Sequence, residues 1–182
     1  MALLNTRDRY GWVSILNHWT IAALILGLTV FGLVLEEMPR GPDKGALIDI
    51  HKTLGVLALA LALARIGWSA LQPHPAAMAD ASPKAVRART IMHGLLIAAT
   101  LALPISGILM SLYHDHAVSL LGLATIPAQG TVAWIAEPAG VVHALGGKLV
   151  LLLVAGHAVV SLKHHLWDRD PTLRRMLGTA GG

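Results

Sequence analysis

The chain has no cysteine, few aromatic residues and little charge. Among its 182 residues, 4% are aromatic and 13% are Asp, Glu, Lys or Arg, whereas a typical soluble domain has about 25% charged residues. Without cysteine the chain cannot form a disulfide, a Cys-rich zinc site, a Cys-ligated iron–sulfur cluster or the thioether bonds of a c-type haem. The residues that are present are 55% hydrophobic, with a mean hydropathy of +0.64, which is typical of an integral membrane protein.

Four apolar stretches are long enough to cross about 30 Å of hydrocarbon. They must be helices, because open strands leave backbone groups unpaired in lipid and the sequence lacks the two-residue alternation of a barrel. The expected fold is all-α, an integral membrane four-helix bundle forming a single domain over residues 1–182. The predicted helices are at about 13–35, 46–71, 91–113 and 139–167.

The basic residues are divided unequally between the two ends of the predicted bundle. Ten are on the side that holds both termini: Arg7, Arg9, Arg65, Lys84, Arg87, Arg89, Lys163, Arg169, Arg174 and Arg175. Four are on the other side: Arg40, Lys44, Lys52 and Lys148. Because Lys and Arg are enriched in cytoplasmic loops, both termini are predicted to be cytoplasmic. The same bias accounts for the net charge of +4, so no nucleic-acid partner is expected.

Four of the histidines lie inside the apolar stretches, where ionisable side chains are rare and usually functional. They are His18, His51, His143 and His157. The last two are fourteen residues apart, which is about 21 Å and four turns of helix, so they project from nearly one face at different depths. With the predicted topology, His18 and His157 fall in the cytoplasmic half of the membrane, and His51 and His143 in the outer half.

Two histidines at each depth predict two b-type haems, because haem iron accepts two axial ligands and neutral imidazole is a common one. One haem is expected between His18 and His157, and the other between His51 and His143. A lone histidine in a membrane helix more often serves packing, but four at paired depths favour ligation. Zinc transport is the competing metal hypothesis, although it usually recruits carboxylates and Asp49 is the nearest one. A haem-free transport or binding protein is a third.

The sequence resembles the bacterial cytochrome b561 family of small dihaem, quinone-linked membrane cytochromes. The matching segments, in order along nearly the whole chain, are ILNHW at 15–19, IHKTLG at 50–55, LPISG at 103–107, VHALG at 142–146, GH at 156–157 and KHHLWD at 163–168. By this resemblance the four histidines named above occupy the axial-ligand positions. It also implies a bacterial inner-membrane location and a superoxide oxidase activity, in which superoxide is oxidised at the periplasmic face and ubiquinone is reduced near the cytoplasmic haem.

Histidines at the predicted cytoplasmic end are candidates for contact with ubiquinone, since imidazole can both hydrogen-bond the quinone carbonyls and supply protons. His93 and His164 match histidines of the family, and His164 is preferred to His165 by family spacing alone. Trp167 and Arg87 are outer candidates. An equally weighted alternative is that these residues only anchor helix ends at the interface.

Lys52 and Lys148 lie near the predicted ligands of the outer haem. They would attract superoxide if they formed a cationic funnel, but pairing with haem propionates, or with Asp49 and Glu137, explains them as well, and propionate pairing is slightly favoured. Close backbone approach to a porphyrin is expected at glycines of the predicted helices: Gly27, Gly32, Gly55, Gly146, Gly147 and Gly156.

The alternative function is a cytochrome b anchor that receives electrons from a partner dehydrogenase or hydrogenase. The short connections between the predicted helices argue against a large docking surface for such a redox partner protein. No role is assigned to His74, His114, His116 or His165, and a zinc site at residues 114–116 is a minor alternative.

Overall fold

The computed structural model describes residues 2–75, 82–120 and 122–179. Four long helices and one short helix make up nearly all of its regular structure. They are α1 (Trp12–Glu37), α2 (Pro42–Leu71), α3 (Pro83–Tyr113), α4 (Ala133–Leu166) and α5 (Thr172–Met176), with strands β1 (Val118–Ser119) and β2 (Thr125–Ile126) between α3 and α4. The four long helices each have the length and hydropathy needed to span a membrane, so the predicted all-α membrane bundle is confirmed.

The helices extend beyond the predicted apolar runs, because helix signals lie outside the hydrophobic part of each segment. The hydroxyl of Ser82 accepts a hydrogen bond from the Ala85 N–H at 3.2 Å, and Pro83 occupies the first turn. Both residue types favour a helix start, so α3 begins eight residues before the predicted Ile91. Similarly, α4 begins at Ala133 and carries Pro138 inside the helix, where the prediction ended the connection at Pro138.

The chain runs up and down, so that the start of α1 and the ends of α2 and α4 share one end of the bundle. At this end, hereafter the termini end, Asn5 bonds to Gln72, and the Trp19 indole N–H donates to the Met176 carbonyl at 2.8 Å. The opposite end, hereafter the loop end, carries the α1–α2 turn and the β1–β2 hairpin. The Thr53 hydroxyl donates to the Ser119 carbonyl at 2.7 Å, which ties this hairpin to α2.

An apolar layer fills the middle of the bundle. It contains Ile21, Ile25, Leu28, Ala58, Leu103 and Val150, drawn from all four long helices. Ala58 and Val150 are each 1% exposed. Many large apolar side chains point outward instead, such as Leu152, which is 70% exposed. An apolar layer at the centre and an apolar exterior suit a bundle surrounded by lipid.

On α2 and α4, side chains seven residues before and after the buried layer residue lie on the same inward face of the helix. On α2, His51 and Arg65 are each seven residues from Ala58; on α4, His143 and His157 are each seven residues from Val150. Seven residues are about two turns of helix, so each set lies on nearly one face. The bundle interior therefore has a polar level on each side of the apolar layer.

Candidate functional site

At the loop end, His51 of α2 and His143 of α4 face each other. Their ring centroids are 6.1 Å apart and the ring planes are at 89°. Phe31 of α1 lies beside this pair, with its ring centroid 5.7 Å from that of His51. The structure thus brings together two of the four predicted ligands, from helices that are far apart in sequence.

The ring of His143 is oriented by α3. Its Nδ1 lies 2.8 Å from the Leu103 carbonyl oxygen and 3.3 Å from the Ser106 hydroxyl. Because a carbonyl oxygen only accepts, Nδ1 must carry the hydrogen and donate it. The lone pair of this imidazole is therefore on Nε2. A hydrogen bond from the second nitrogen to a backbone carbonyl is the usual support for a metal-ligating histidine.

Two glycines allow both rings to lie close to neighbouring helices. A Cβ added at Gly107 of α3 would be 2.8 Å from Cε1 of His143, and one at Gly32 of α1 would be 3.3 Å from Cε1 of His51. Ordinary carbon–carbon contacts are about 3.5–4.0 Å, so an alanine at Gly107 would displace the imidazole. Gly32 was predicted to allow the approach of a porphyrin, which stays a prediction, and no such role was predicted for Gly107.

The other predicted glycines have different surroundings. A Cβ at Gly146 would be 3.1 Å from Leu103, and those at Gly147 and Gly156 would make ordinary contacts with Thr29 and Met92. Of these three, only Gly146 allows an unusually close protein contact, and the approach of a porphyrin to these glycines stays a prediction. Added Cβ atoms at Gly27 and Gly55 would meet nothing within 4 Å, so no protein contact requires a glycine at either position.

At the termini end, three histidines and one arginine form the second polar level. The rings of His93 and His157 have centroids 5.4 Å apart. His18 is within electrostatic range of both rings. The side chain of Arg65 reaches this group from α2, with Nη2 3.0 Å from Nδ1 of His18. Hence His18 and His157, the other predicted pair, share this level with two further ionisable groups.

The loop-end pair fits a bound haem. Two metal–imidazole bonds of about 2 Å, with about 1 Å from each nitrogen to its ring centre, amount to about 6 Å, against the observed 6.1 Å between centroids. The buried Nδ1 of His51 has no hydrogen-bond partner in the described part of the chain, which is unusual unless a bound group completes the site. At the termini end the ring contact of His157 is with His93, and Arg65 occupies Nδ1 of His18. The pairing of His18 with His157 on one haem therefore stays a prediction.

The predicted quinone residues lie apart from each other. His93 contacts His157, whereas His164 is seven residues further along α4, and no hydrogen bond or ring contact joins His93 and His164 in the described segments. The Nδ1 atom of His164 lies 2.5 Å from a carboxylate oxygen of Asp168. The Trp167 side chain is 81% exposed, as expected of a residue at a membrane interface.

Asp168 is held by two basic neighbours just beyond the end of α4. The Lys163 ammonium donates to both carboxylate oxygens, at 2.9 and 2.7 Å. Its hydrogen bond is the largest cause that lowers the pKa of Asp168 below the ordinary 3.8, and the hydrogen bond from His164 adds to it. The carboxylate therefore stays ionised and accepts the Nδ1 hydrogen of His164. Asp168 was not among the predicted site residues.

Two of the four basic residues at the loop end, Lys52 and Lys148, face carboxylates. Lys52 Nζ is 3.8 Å from Asp49 and 3.4 Å from the Ala117 carbonyl oxygen, while Lys148 Nζ is 3.6 Å from Glu36. Asp49 therefore lies within ion-pair distance of Lys52, as one of the two alternatives requires, and pairing with haem propionates stays a prediction.

Glu137, the other carboxylate considered for these lysines, pairs with His114 at 3.6 Å instead. In residues 2–75, 82–120 and 122–179, no three His, Cys, Asp or Glu side chains converge as a metal site would require.

Four membrane-length helices around inward-facing histidines define the class, a multi-pass helical membrane protein. The chain belongs to the prokaryotic cytochrome b561 family, whose profile matches residues 9–179, and so to the membrane proteins that transfer electrons through haem b.

Its relatives span nearly its whole length. "Cytochrome b561 homolog 2" of Escherichia coli is 31% identical over 98% of this chain and 96% of its own. "Cytochrome b562" of Cereibacter sphaeroides is 29% identical over 92% of this chain and 94% of its own. The "Probable superoxide oxidase CybB" of Yersinia pestis is 24% identical over 93% and 96%. The family resemblance noted in the sequence is thereby confirmed.

Proposed function

We propose that this protein is a dihaem cytochrome b of the bacterial inner membrane, with both termini in the cytoplasm, that oxidises superoxide at the periplasmic face and reduces ubiquinone near the cytoplasmic haem. His51 and His143 hold the periplasmic-side haem; His18 and His157 hold the cytoplasmic-side haem. The observation that carries the proposal is the facing pair of His51 and His143, with Nδ1 of His143 bonded to the Leu103 carbonyl.

Haem b supplies reversible one-electron oxidation and reduction, and the chain supplies its position and surroundings. The apolar layer around Ala58 and Val150 keeps water away from the space between the two histidine levels. The levels are about 21 Å apart along α4 by helix rise. This arrangement suits transfer of electrons across the membrane without a water-filled path.

At the termini end the proposed substrate is ubiquinone, which takes two electrons and two protons. The net reaction consumes two superoxide anions, one ubiquinone and two protons, and yields two dioxygen molecules and one ubiquinol. Asp168 fixes the hydrogen of His164 on Nδ1, so Nε2 is the atom that exchanges a proton with the quinone. His93, beside His157, is the second candidate for hydrogen bonding to the headgroup.

Support for superoxide as the donor comes from the family and from the name of one relative, the "Probable superoxide oxidase CybB". Lys52 and Lys148 each face a carboxylate, which argues against a cationic funnel formed by these two lysines. The second candidate function is a quinone-linked anchor that receives electrons from a partner dehydrogenase or hydrogenase docked at the loop end. Trp134, 79% exposed at the start of α4, would lie in that docking surface.

Stopped-flow absorbance of the purified, oxidised protein distinguishes the two functions. We expect a reduced b-type spectrum within the lifetime of added superoxide, followed by reoxidation when ubiquinone is added. His74→Ala, a change at an exposed histidine near the end of α2, is the matched control and is expected to react as the wild type does. A haem spectrum that does not respond to superoxide, together with copurification of a dehydrogenase or hydrogenase, would replace the first function by the second.

A further inference from the structure

Arg65 is an ionisable residue that the proposed electron path does not yet use. It lies on α2 fourteen residues after His51 and seven after the fully buried Ala58. His157 has the same relation to His143 and Val150 on α4. The repeat therefore directs Arg65 inward at the level of His157, and its contact with His18 agrees with that direction.

The guanidinium of Arg65 is half-buried and has no carboxylate within 4.0 Å in residues 2–75, 82–120 and 122–179. The described acidic residues of this end, Asp8, Asp168 and Asp170, all lie outside the four long helices. An arginine inside a membrane span is costly unless an anionic or polar group compensates its charge. In the described residues, the hydrogen-bond partner of Arg65 is a histidine nitrogen, and Tyr10 is a further neighbour that acts on its charge. Neither is a carboxylate, so no described carboxylate compensates this cation.

The hydrogen bond between Arg65 and His18 also conflicts with iron ligation by His18. Because guanidinium nitrogens only donate, Nδ1 of His18 accepts and the ring hydrogen is on Nε2. Ligation through Nε2 would move the hydrogen to Nδ1, and ligation through Nδ1 would use its lone pair. Either way, Arg65 must leave His18 when iron binds. His143 has the opposite arrangement, since its Nδ1 already donates to Leu103.

We propose that Arg65 binds a propionate carboxylate of the haem at the termini end, exchanging its hydrogen bond to His18 for this ion pair when the haem binds. This inference rests on the proposed function, because it requires a haem at His18 and His157. Arginine is suited to the role because its planar fork binds a carboxylate through two parallel hydrogen bonds. The positive charge of Arg65, released from His18, and the negative charge of the propionate would then neutralise each other inside the bundle.

The test compares Arg65→Gln, Arg65→Lys and the control Arg7→Gln, which removes one exposed charge from the same end of the molecule. Two quantities are measured on the haem-loaded proteins: the midpoint potential of each haem by spectroelectrochemical titration, and the rate of haem loss to a scavenging apoprotein. Arg65→Gln is expected to lower one midpoint potential, because a nearby positive charge stabilises reduced iron. It should also speed the loss of one haem about tenfold or more. Arg7→Gln should change neither.

A double variant with His157→Ala identifies the affected haem. His157→Ala alone should retain only the loop-end haem, and adding Arg65→Gln should then have no further effect on it. Unchanged potentials and haem loss in Arg65→Gln, or a shift in the haem that His157→Ala retains, overturn the role of Arg65 and leave the proposed function standing. Retention of both haems in His157→Ala overturns the ligand assignment and this proposal with it.

If Arg65→Gln does not accumulate as folded protein, Arg65→Lys decides. It keeps the charge but loses the fork, so its potentials should resemble those of the wild type while one haem is lost faster. Haem loss at the wild-type rate from Arg65→Lys overturns the proposal.

Discussion

Gly107 offers a direct way to perturb one predicted haem ligand without changing that ligand. In Gly107→Ala, the new Cβ would be 2.8 Å from Cε1 of His143. Restoring an ordinary carbon contact of about 3.5–4.0 Å requires the ring to retreat by about 1 Å. Metal–ligand distances tolerate only about 0.2 Å, so the ring cannot keep both its place against α3 and a bond to iron.

The expected cost of Gly107→Ala is that of overpacking, about 1–3 kcal/mol. If this strain falls on the bound state, the dissociation constant of the loop-end haem rises by about 5- to 150-fold. The assay is the rate of haem transfer from the purified protein to a scavenging apoprotein, followed by absorbance. Loss should be biphasic, with one haem leaving faster than in the wild type and the other unchanged.

Gly45→Ala is the matched control, since a Cβ there would meet nothing within 4 Å and the residue is also helical and near the loop end. It should lose both haems at the wild-type rate. Equal haem retention in Gly107→Ala and Gly45→Ala would refute the reasoning that Gly107 sets the position of His143.

Two further predictions concern the termini end. In ¹³C NMR of the carboxyl groups, Asp168 should titrate with a midpoint below 3.8, because Lys163 and His164 lower its pKa. Its contacts with these two residues should therefore persist as the pH falls and be lost only as the pH passes below that midpoint. Lys163→Gln should raise the midpoint. Trp19→Phe removes the 2.8 Å hydrogen bond to the Met176 carbonyl, so trypsin should cleave the basic α5 segment faster than in the wild type. Unchanged cleavage would show that this contact does not hold α5 in place.

The sequence was sufficient for the number of membrane helices and for the inward-facing histidines, because both follow from hydropathy and helical period. The predicted helix limits were shorter than the observed ones, since hydropathy marks only the apolar part of a helix. The cap at Ser82 and the helical turn before Pro138 extend α3 and α4 beyond their apolar parts, and hydropathy does not detect either feature.

The residues that support the site could not be predicted as readily. The Leu103 carbonyl has no sequence signature, and its contact with His143 depends on how α3 packs against α4. Gly107 was recognisable only as the last residue of the LPISG segment at 103–107. Arg65 did have a signal, the seven-residue steps from His51 through Ala58, but its contact with His18 is a product of tertiary packing.

The central claim, two haems held at two depths, is tested most directly by haem quantitation per chain in three proteins. Pyridine haemochromogen analysis should give two haems in the wild type and one each in His143→Ala and His157→Ala. The redox difference spectra of the two single-haem variants should add up to that of the wild type. Loss of both haems, or of neither, from a folded His157→Ala protein would contradict the assignment.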